Sequence, residues 1–229
     1  MKNLAIIPAR GGSKRIPRKN VKEFLGKPII AYSIETALKT EIFDEVMVST
    51  DDDEIAEIAR KYGASVPFMR SKGTSDDHAT TLSVIKEVLA TYKIKQEKDF
   101  NLICCIYPTA PLIQIKHLKK GLELLESKNY QSVFPVVTFG YPVWRGLERM
   151  DDGKTNMLWP ENLNARSQDM KKVYHDAGQW YWIKSQKINH SIFSENTATI
   201  VLEETEAQDI DNLTDWKLAE LKYHLLNEA

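Results

Sequence analysis

Short apolar runs alternate with amphipathic stretches from residue 3 to about residue 139, and this alternation limits the possible fold more than any other feature. "NLAIIPA" (3–9), "EVMVST" (45–50), "FNLICCIY" (100–107) and "SVFPVVTF" (132–139) read as buried strands, with "ASVPFMR" (64–70) a shorter one broken by Pro67. Between them, residues 28–40, 51–63, 75–93 and 114–128 carry helical spacing. Pro28 suits a first-turn position, acids open the second helix and Gly63 stops it. A run that is apolar at every residue, such as "LICCIY", suits a strand covered on both faces, as in a parallel sheet between helices. The expected fold is α/β: a doubly wound, mostly parallel sheet whose ligand sites lie at the carboxyl ends of its strands. Residues 10–20, 50–52, 70–77 and 107–112 all fall at such ends.

After about residue 140 the pattern changes to turn residues, aromatics and prolines. "DDGK" at 151–154 reads as a hairpin turn between "VWRGLERM" and "TNMLW". Residues 178–184 and 197–204 read as further strands. A closing helix spans roughly 212–227, with Asn212 and Asp215 in a capping arrangement and Trp216, Leu218, Leu221, Leu225 and Leu226 as its apolar stripe. The expectation is a single domain over 1–229, with a small mixed-strand excursion at about 140–175. Cys104 and Cys105 are adjacent and face opposite sides of a strand, so they read as buried thiols and not as a disulfide.

A hydrophobic fraction of 42%, a charged fraction of 28% and a net charge of −1 suit a soluble globular protein without overall attraction to nucleic acid or membrane. No apolar stretch approaches the ~18 residues of a membrane span. The opening "MKNLAIIPAR" has too short an apolar core for a secretory leader, so a cytoplasmic protein is expected.

Against this neutral background the loop after the first strand stands out. Residues 10–22 hold Arg10, Lys14, Arg15, Arg18, Lys19 and Lys22 without one acid. Glycines let backbone N–H groups approach an anion, and the cations supply charge, so an anion site at a strand end is favoured over a solvated basic turn. Neither the P-loop nor the dinucleotide-binding glycine pattern is present. Late in the chain, Asp209 and Asp211 stand two residues apart, the spacing that puts two side chains on one side of an extended segment. Such a pair suits Mg²⁺, and it also suits the cap of the following helix.

"IIPARGGSKRIPRKN" resembles the N-terminal signature of the nonulosonic-acid cytidylyltransferases, the CMP-sialic acid synthetase relatives, in its A-R, G-S-K and P-x-K-N elements. The resemblance extends through "STDDDEIAEIARKYGA", "YPTAPL" and "DIDNLTDW", and so covers nearly the whole chain. It implies a Rossmann-like nucleotidyltransferase that joins CMP from CTP to a nonulosonic acid. Nucleotide binding would then fall to Arg10, Gly12, Ser13, Lys14, Lys19, Asn20, Arg70 and Thr81, with Thr80 adjacent to the last. Catalysis would fall to Arg10, Lys14, Lys19 and Asp211, with Mg²⁺ held by Asp209 and Asp211. The resemblance also implies a homodimer made through the 140–175 excursion, in which Arg145 reaches the neighbouring site.

Three departures from the sialic-acid enzymes point to the pseudaminic-acid branch of that family: Tyr107 before Pro-Thr-Ala-Pro, the run Ala177-Gly178-Gln179, and Arg15 after Gly-Ser-Lys. Tyr107, Arg166, Gln168, Tyr174, Gln179 and Tyr181 are the implied sugar contacts, with His175 and Asp176 beside them. The alternatives are a cytidylyltransferase for sialic, legionaminic or 3-deoxy-octulosonic acid, a metal-dependent glycosyltransferase, or a non-catalytic nucleotide-binding module. Glycosyltransferases also use Asp-x-Asp, but usually mid-chain, whereas here it comes late.

Overall fold

The computed structural model describes residues 1–76, 79–128, 130–188 and 191–227. In order these form β1 (Asn3–Pro8), a small hairpin of β2 (Glu23–Phe24) and β3 (Lys27–Pro28), α1 (Ile29–Thr40), β4 (Glu45–Ser49) and α2 (Asp53–Lys61). Next come α3 (Thr81–Gln96), β5 (Leu102–Ile106), α4 (Ile115–Ser127) and β6 (Ser132–Thr138). A second hairpin of β7 (Leu147–Arg149) and β8 (Thr155–Met157) precedes β9 (Tyr174–Asp176), β10 (Trp180–Lys184), β11 (Thr197–Leu202) and α5 (Leu213–Asn227).

The seven-stranded sheet runs β11-β6-β10-β5-β1-β4, with β9 also paired to β6. Strands β4, β1 and β5 are mutually parallel, as are β6 and β11, and β10 enters antiparallel between β5 and β6. The period of two decides which side chain goes where. Ala5, Ile7, Val48, Cys104 and Trp182 pack on the face covered by α1, α2 and α4. Leu4, Ile6, Met47, Cys105 and Ile183 pack on the other, against Val84, Ile85 and Val88 of α3. The two thiols therefore do face opposite cores, and burial pushes both up, Cys105 to about 12.

Gly121 of α4 lies flat on β10: a Cβ there would sit 2.7 Å from Trp180 Cη2 and 2.9 Å from Trp182 Cδ1. A third, smaller core gathers Ile16, Phe24, Ile29, Tyr32, Ile210, Trp216 and Ala219, and ties the basic loop to the start of α5.

Three expectations are corrected. Residues 64–70 form no strand; Ser65 makes a single bridge to Met47, and Pro67, which lacks an N–H, cannot extend it. The helix expected over 75–93 starts at Thr81, because Thr80 Oγ1 caps it by accepting from Ser83 N at 3.1 Å, while 72–74 make a separate tight turn. Residues 77 and 78, at its expected start, lie outside the described residues. Third, α5 does not bury its leucine stripe. Trp216 and Ala219 face inward toward Phe24 and Tyr32, leaving Leu218, Leu221 and Leu225 exposed on the far side. Residues 174–176, not assigned to an element from the sequence, form β9. The hairpin at 151–154 forms as expected, with Leu147 opposite Met157. Among the described residues, no helix is long and apolar enough to cross a membrane.

Candidate active site

Parallel strands end on one rim, so the loops after β1, β4 and β5 are neighbours there. Because β10 runs the other way, its first residues arrive at the same rim. The join between β9 and β10 is a bulge. The pairing with β6 shifts between Val136↔Asp176 and Val133↔Trp182, and Gly178 sits at the break, between Ala177, whose N still donates to Pro135 O at 3.0 Å, and Gln179, whose carbonyl turns to β5. Gly178 takes a positive φ of 63°, and its Cα faces Asp209.

The basic loop is built in two parts. Ile16 is buried beside Ile210, and Asn20 is buried with its Nδ2 donating to Arg10 O at 2.9 Å, so the loop is braced by its own apolar and amide residues. Arg18 turns away in a left-handed conformation and forms ion pairs with Asp52, at 2.5 Å, and Glu54. Lys22 lies over the Trp216 ring at 5.5 Å. These two cations serve the fold. The others converge: Arg10, Ser13, Lys14, Arg15, Lys19 and Asn20 line one side of a cavity of about 380 Å³, and Tyr107, Pro108 and Thr109 line the other. Gly12 lies exposed on the same loop. Arg10 Nη1 also donates to Asp76 O at 2.9 Å.

The acid pair meets this loop directly. Ile210 is fully buried, which holds Asp209 and Asp211 on the opposite side of an extended segment. Lys19 Nζ donates to Ile210 O at 2.7 Å, and Arg15 Nη1 lies 2.5 Å from Asp211 Oδ2. The cap of α5 fixes the Asp211 backbone: Asp215 Oδ2 accepts from Asp211 N and Asn212 N at 2.9 and 3.0 Å, while Asn212 Oδ1 accepts from Thr214 N and Asp215 N. Desolvation and then the Asp211 charge push the Asp209 carboxyl up, against the pull of Lys19 and Arg15. Desolvation lowers Lys19, against the two carboxylates. Among the described residues, no group of three or more His, Cys, Asp or Glu side chains is arranged to hold a metal. Two carboxylates beside a cationic cavity fit a hard cation that takes its remaining ligands from water and phosphate.

Arg70 is buried at the end of β4, where its Nε donates to Ser49 Oγ at 3.0 Å and its Nη2 to Ser49 O. The structure separates the two threonines left open by the sequence: Thr80 caps α3, while Thr81 Oγ1 is 3.2 Å from Tyr107 Oη. Tyr107 stands between two regions, lining the cationic cavity and packing its ring 5.3 Å from that of Tyr181. Tyr181 in turn donates to Asp176 Oδ2 at 2.6 Å, and Gly178 N donates to Asp176 Oδ1 at 2.9 Å. Asp176, His175 and Asp209 border a second cavity of about 350 Å³.

Gln179 is buried and braces the rim: its Nε2 donates to Glu206 O at 2.6 Å and its carbonyl accepts from Tyr107 N at 2.8 Å. Tyr174 is exposed on β9, Arg166 is exposed in the excursion, and Gln168 lines a separate cavity with Arg145 and Lys171. Among the described residues, no hydrogen bond, ion pair or ring contact joins Arg166 or Gln168 to Tyr107 or Tyr181. Sequence reasoning missed the supports beneath the site, Arg18 with Asp52 and Glu206 with His117, because pairs this far apart in the chain leave no local pattern.

A profile described as cytidylyltransferase matches residues 4–225. The chain is 42% identical to the pseudaminic acid cytidylyltransferase of Campylobacter jejuni, across 100% of this chain and 99% of that one. It is 33% identical to the CMP-N,N'-diacetyllegionaminic acid synthase of Legionella pneumophila, again across 100% and 99%. In structure it is similar to a CMP:2-keto-3-deoxy-manno-octonic acid synthetase solved with CTP, with a TM-score of 0.71, 18% identity and full coverage of both chains, a likeness of fold. With a full-length relative at 42% identity and a family match over almost every residue, the chain belongs to the cytidylyltransferase family and is a nucleotidyltransferase.

Proposed function

We propose that this enzyme transfers CMP from CTP to the anomeric hydroxyl of a nonulosonic acid, pseudaminic acid before its sialic, legionaminic and 3-deoxy-octulosonic relatives, and releases pyrophosphate. The observation that carries the reading is the meeting of the basic loop with the Asp209–Asp211 pair, through Lys19 to Ile210 O and Arg15 to Asp211. The preference for pseudaminic acid rests on the full-length likeness to an enzyme named for that sugar.

The sugar hydroxyl oxygen bonds to the α-phosphorus as the bond to pyrophosphate breaks, and charge accumulates on the phosphoryl oxygens. Arg10, Lys14 and Lys19 face the cavity where that charge develops and neutralise it. Asn20 and Ser13 hold the loop to the nucleotide, and Arg70 and Thr81 close its base end. Tyr107, Tyr181 and Asp176 orient the sugar beside the acid pair, and Asp211 accepts the hydroxyl proton. Mg²⁺ held by Asp209 and Asp211 would polarise the phosphate oxygens.

The test is incubation with CTP, Mg²⁺ and a panel of nonulosonic acids, with the product identified by mass. CMP-pseudaminic acid is the expected product, and turnover of sialic or legionaminic acid alone would overturn the assignment. Unchanged pyrophosphate release in Asp211→Ala, or without a divalent cation, would remove the metal. We also propose a homodimer made through the 140–175 excursion, which exposes Tyr141, Leu147, Leu158 and Leu163. Sedimentation should give twice the chain mass; a stable, fully active monomer would refute it.

A further inference from the structure

Arg15 differs from its neighbours on the loop in what it touches. Arg10 reaches Asp76 O, Arg18 is committed to Asp52 and Glu54, and Lys19 donates to a backbone carbonyl. The Arg15 guanidinium instead covers a carboxylate of the acid pair, 2.5 Å from Asp211 Oδ2. The pair is open to water, with the side chains 68% and 39% exposed, so holding it together stabilises the fold little and breaking it costs little. Its backbone is anchored on both sides. Ile16 is buried next to Arg15, and Asp211 is fixed by the α5 cap, so exchange requires only side-chain rotation. Arg15 also lines the cationic cavity with Lys14 and Lys19. One guanidinium thus has two anionic stations within reach, a carboxylate and whatever anion fills the cavity.

We infer that Arg15 serves the two stations in turn, as a positioning residue: it occupies Asp211 before nucleotide arrives and moves to the triphosphate when the cation takes its place. The inference rests on the reading of Asp209 and Asp211 as the metal pair. A cation on Asp211 and a guanidinium against the same oxygen repel each other, so the two compete for it. A triphosphate gives Arg15 a bidentate partner elsewhere and so frees Asp211. Metal and nucleotide then favour each other's binding, and the coupling is reciprocal. The physical consequence is an ordered site, in which the free enzyme is a poor metal binder and the cation enters with CTP.

The experiment uses Mn²⁺ in place of Mg²⁺, with free Mn²⁺ read by electron paramagnetic resonance, and calorimetry of CTP without metal. In Arg15→Met, Mn²⁺ should bind the nucleotide-free enzyme about fivefold more tightly, and CTP without metal should bind about fivefold more weakly, the scale of one exposed ion pair. Both shifts are required, and absence of either overturns the exchange. Asp211→Asn separates the two readings. If, with CTP present, it binds Mn²⁺ as the parent does, the metal pair itself is wrong and Arg15 falls with it. If it loses Mn²⁺ while Arg15→Met changes nothing, the metal pair stands and only the exchange fails. Thermal midpoints within about a degree of the parent check that each variant is folded.

Discussion

Tyr181 Oη donates to Asp176 Oδ2 at 2.6 Å, across the bulge that joins β9 to β10. The carboxylate is held from two directions, since Gly178 N takes its other oxygen. Tyr181 itself is almost wholly buried between Tyr107 and Phe134. The pair fixes an exposed acid at the edge of the cavity that also holds Asp209.

Tyr181→Phe keeps this packing and releases Asp176. The expected result is a KM for the sugar acid raised about tenfold, with KM for CTP within about twofold, since one hydrogen bond to a charged group is worth ~1.5 kcal/mol. Steady-state kinetics varying each substrate decides it. Equal shifts in both constants would place Asp176 away from the sugar.

Gly121→Ala places a methyl group against the rings of Trp180 and Trp182, both buried. Neither indole can retreat within a close-packed sheet face, so the variant should lose ~1–3 kcal/mol, read as a lower urea midpoint with an unchanged slope. An unchanged midpoint would mean that α4 moves off the sheet freely.

Glu206 is buried beneath the segment that leads to the acid pair. Burial pushes its carboxyl up, but hydrogen bonds from Lys116, His117 and the Glu203 turn outweigh this and hold it at about 2, against an ordinary 4.5. The folded value lies below the unfolded one, so the stabilisation is complete above about pH 4.5 and is lost as pH falls toward about 2. The contribution is ~2–3 kcal/mol. Glu206→Gln should be less stable at pH 7 and should lack the part of the acid loss that the parent shows in that window. Denaturation midpoints at several pH values test this, and parallel curves for the two proteins would refute it.

The alternating apolar runs were enough to predict a doubly wound sheet, because a strand covered on both faces has no polar residues and its neighbours in sequence must be crossover helices. "FNLICCIY" and "SVFPVVTF" became β5 and β6 for that reason. The basic loop and the Asp-x-Asp pair were legible as chemistry because each is a dense local cluster of one charge. Other features were not legible, because they depend on which surface meets which. The leucines of α5 have the spacing of a buried stripe, yet Trp216, with the aromatic rings of Phe24 and Tyr32 to meet, won the inward face. Strand β10 carries no mark of its direction, and only the sheet puts it antiparallel between β5 and β6.

By itself the sequence determined the type of fold, the dense basic loop and the two carboxylates. The tertiary structure brought the loop and the carboxylates together. Ile16 and Ile210 share one small core, and burying them together brings Arg15 and Asp211 within 2.5 Å of each other although they lie at opposite ends of the chain. It also divided the cations: Arg18 and Lys22 to the fold, Arg10, Lys14, Arg15 and Lys19 to the cavity. Charge attracts a partner at long range without regard to direction, and only close packing of the apolar residues beside each charge decides which partner it meets.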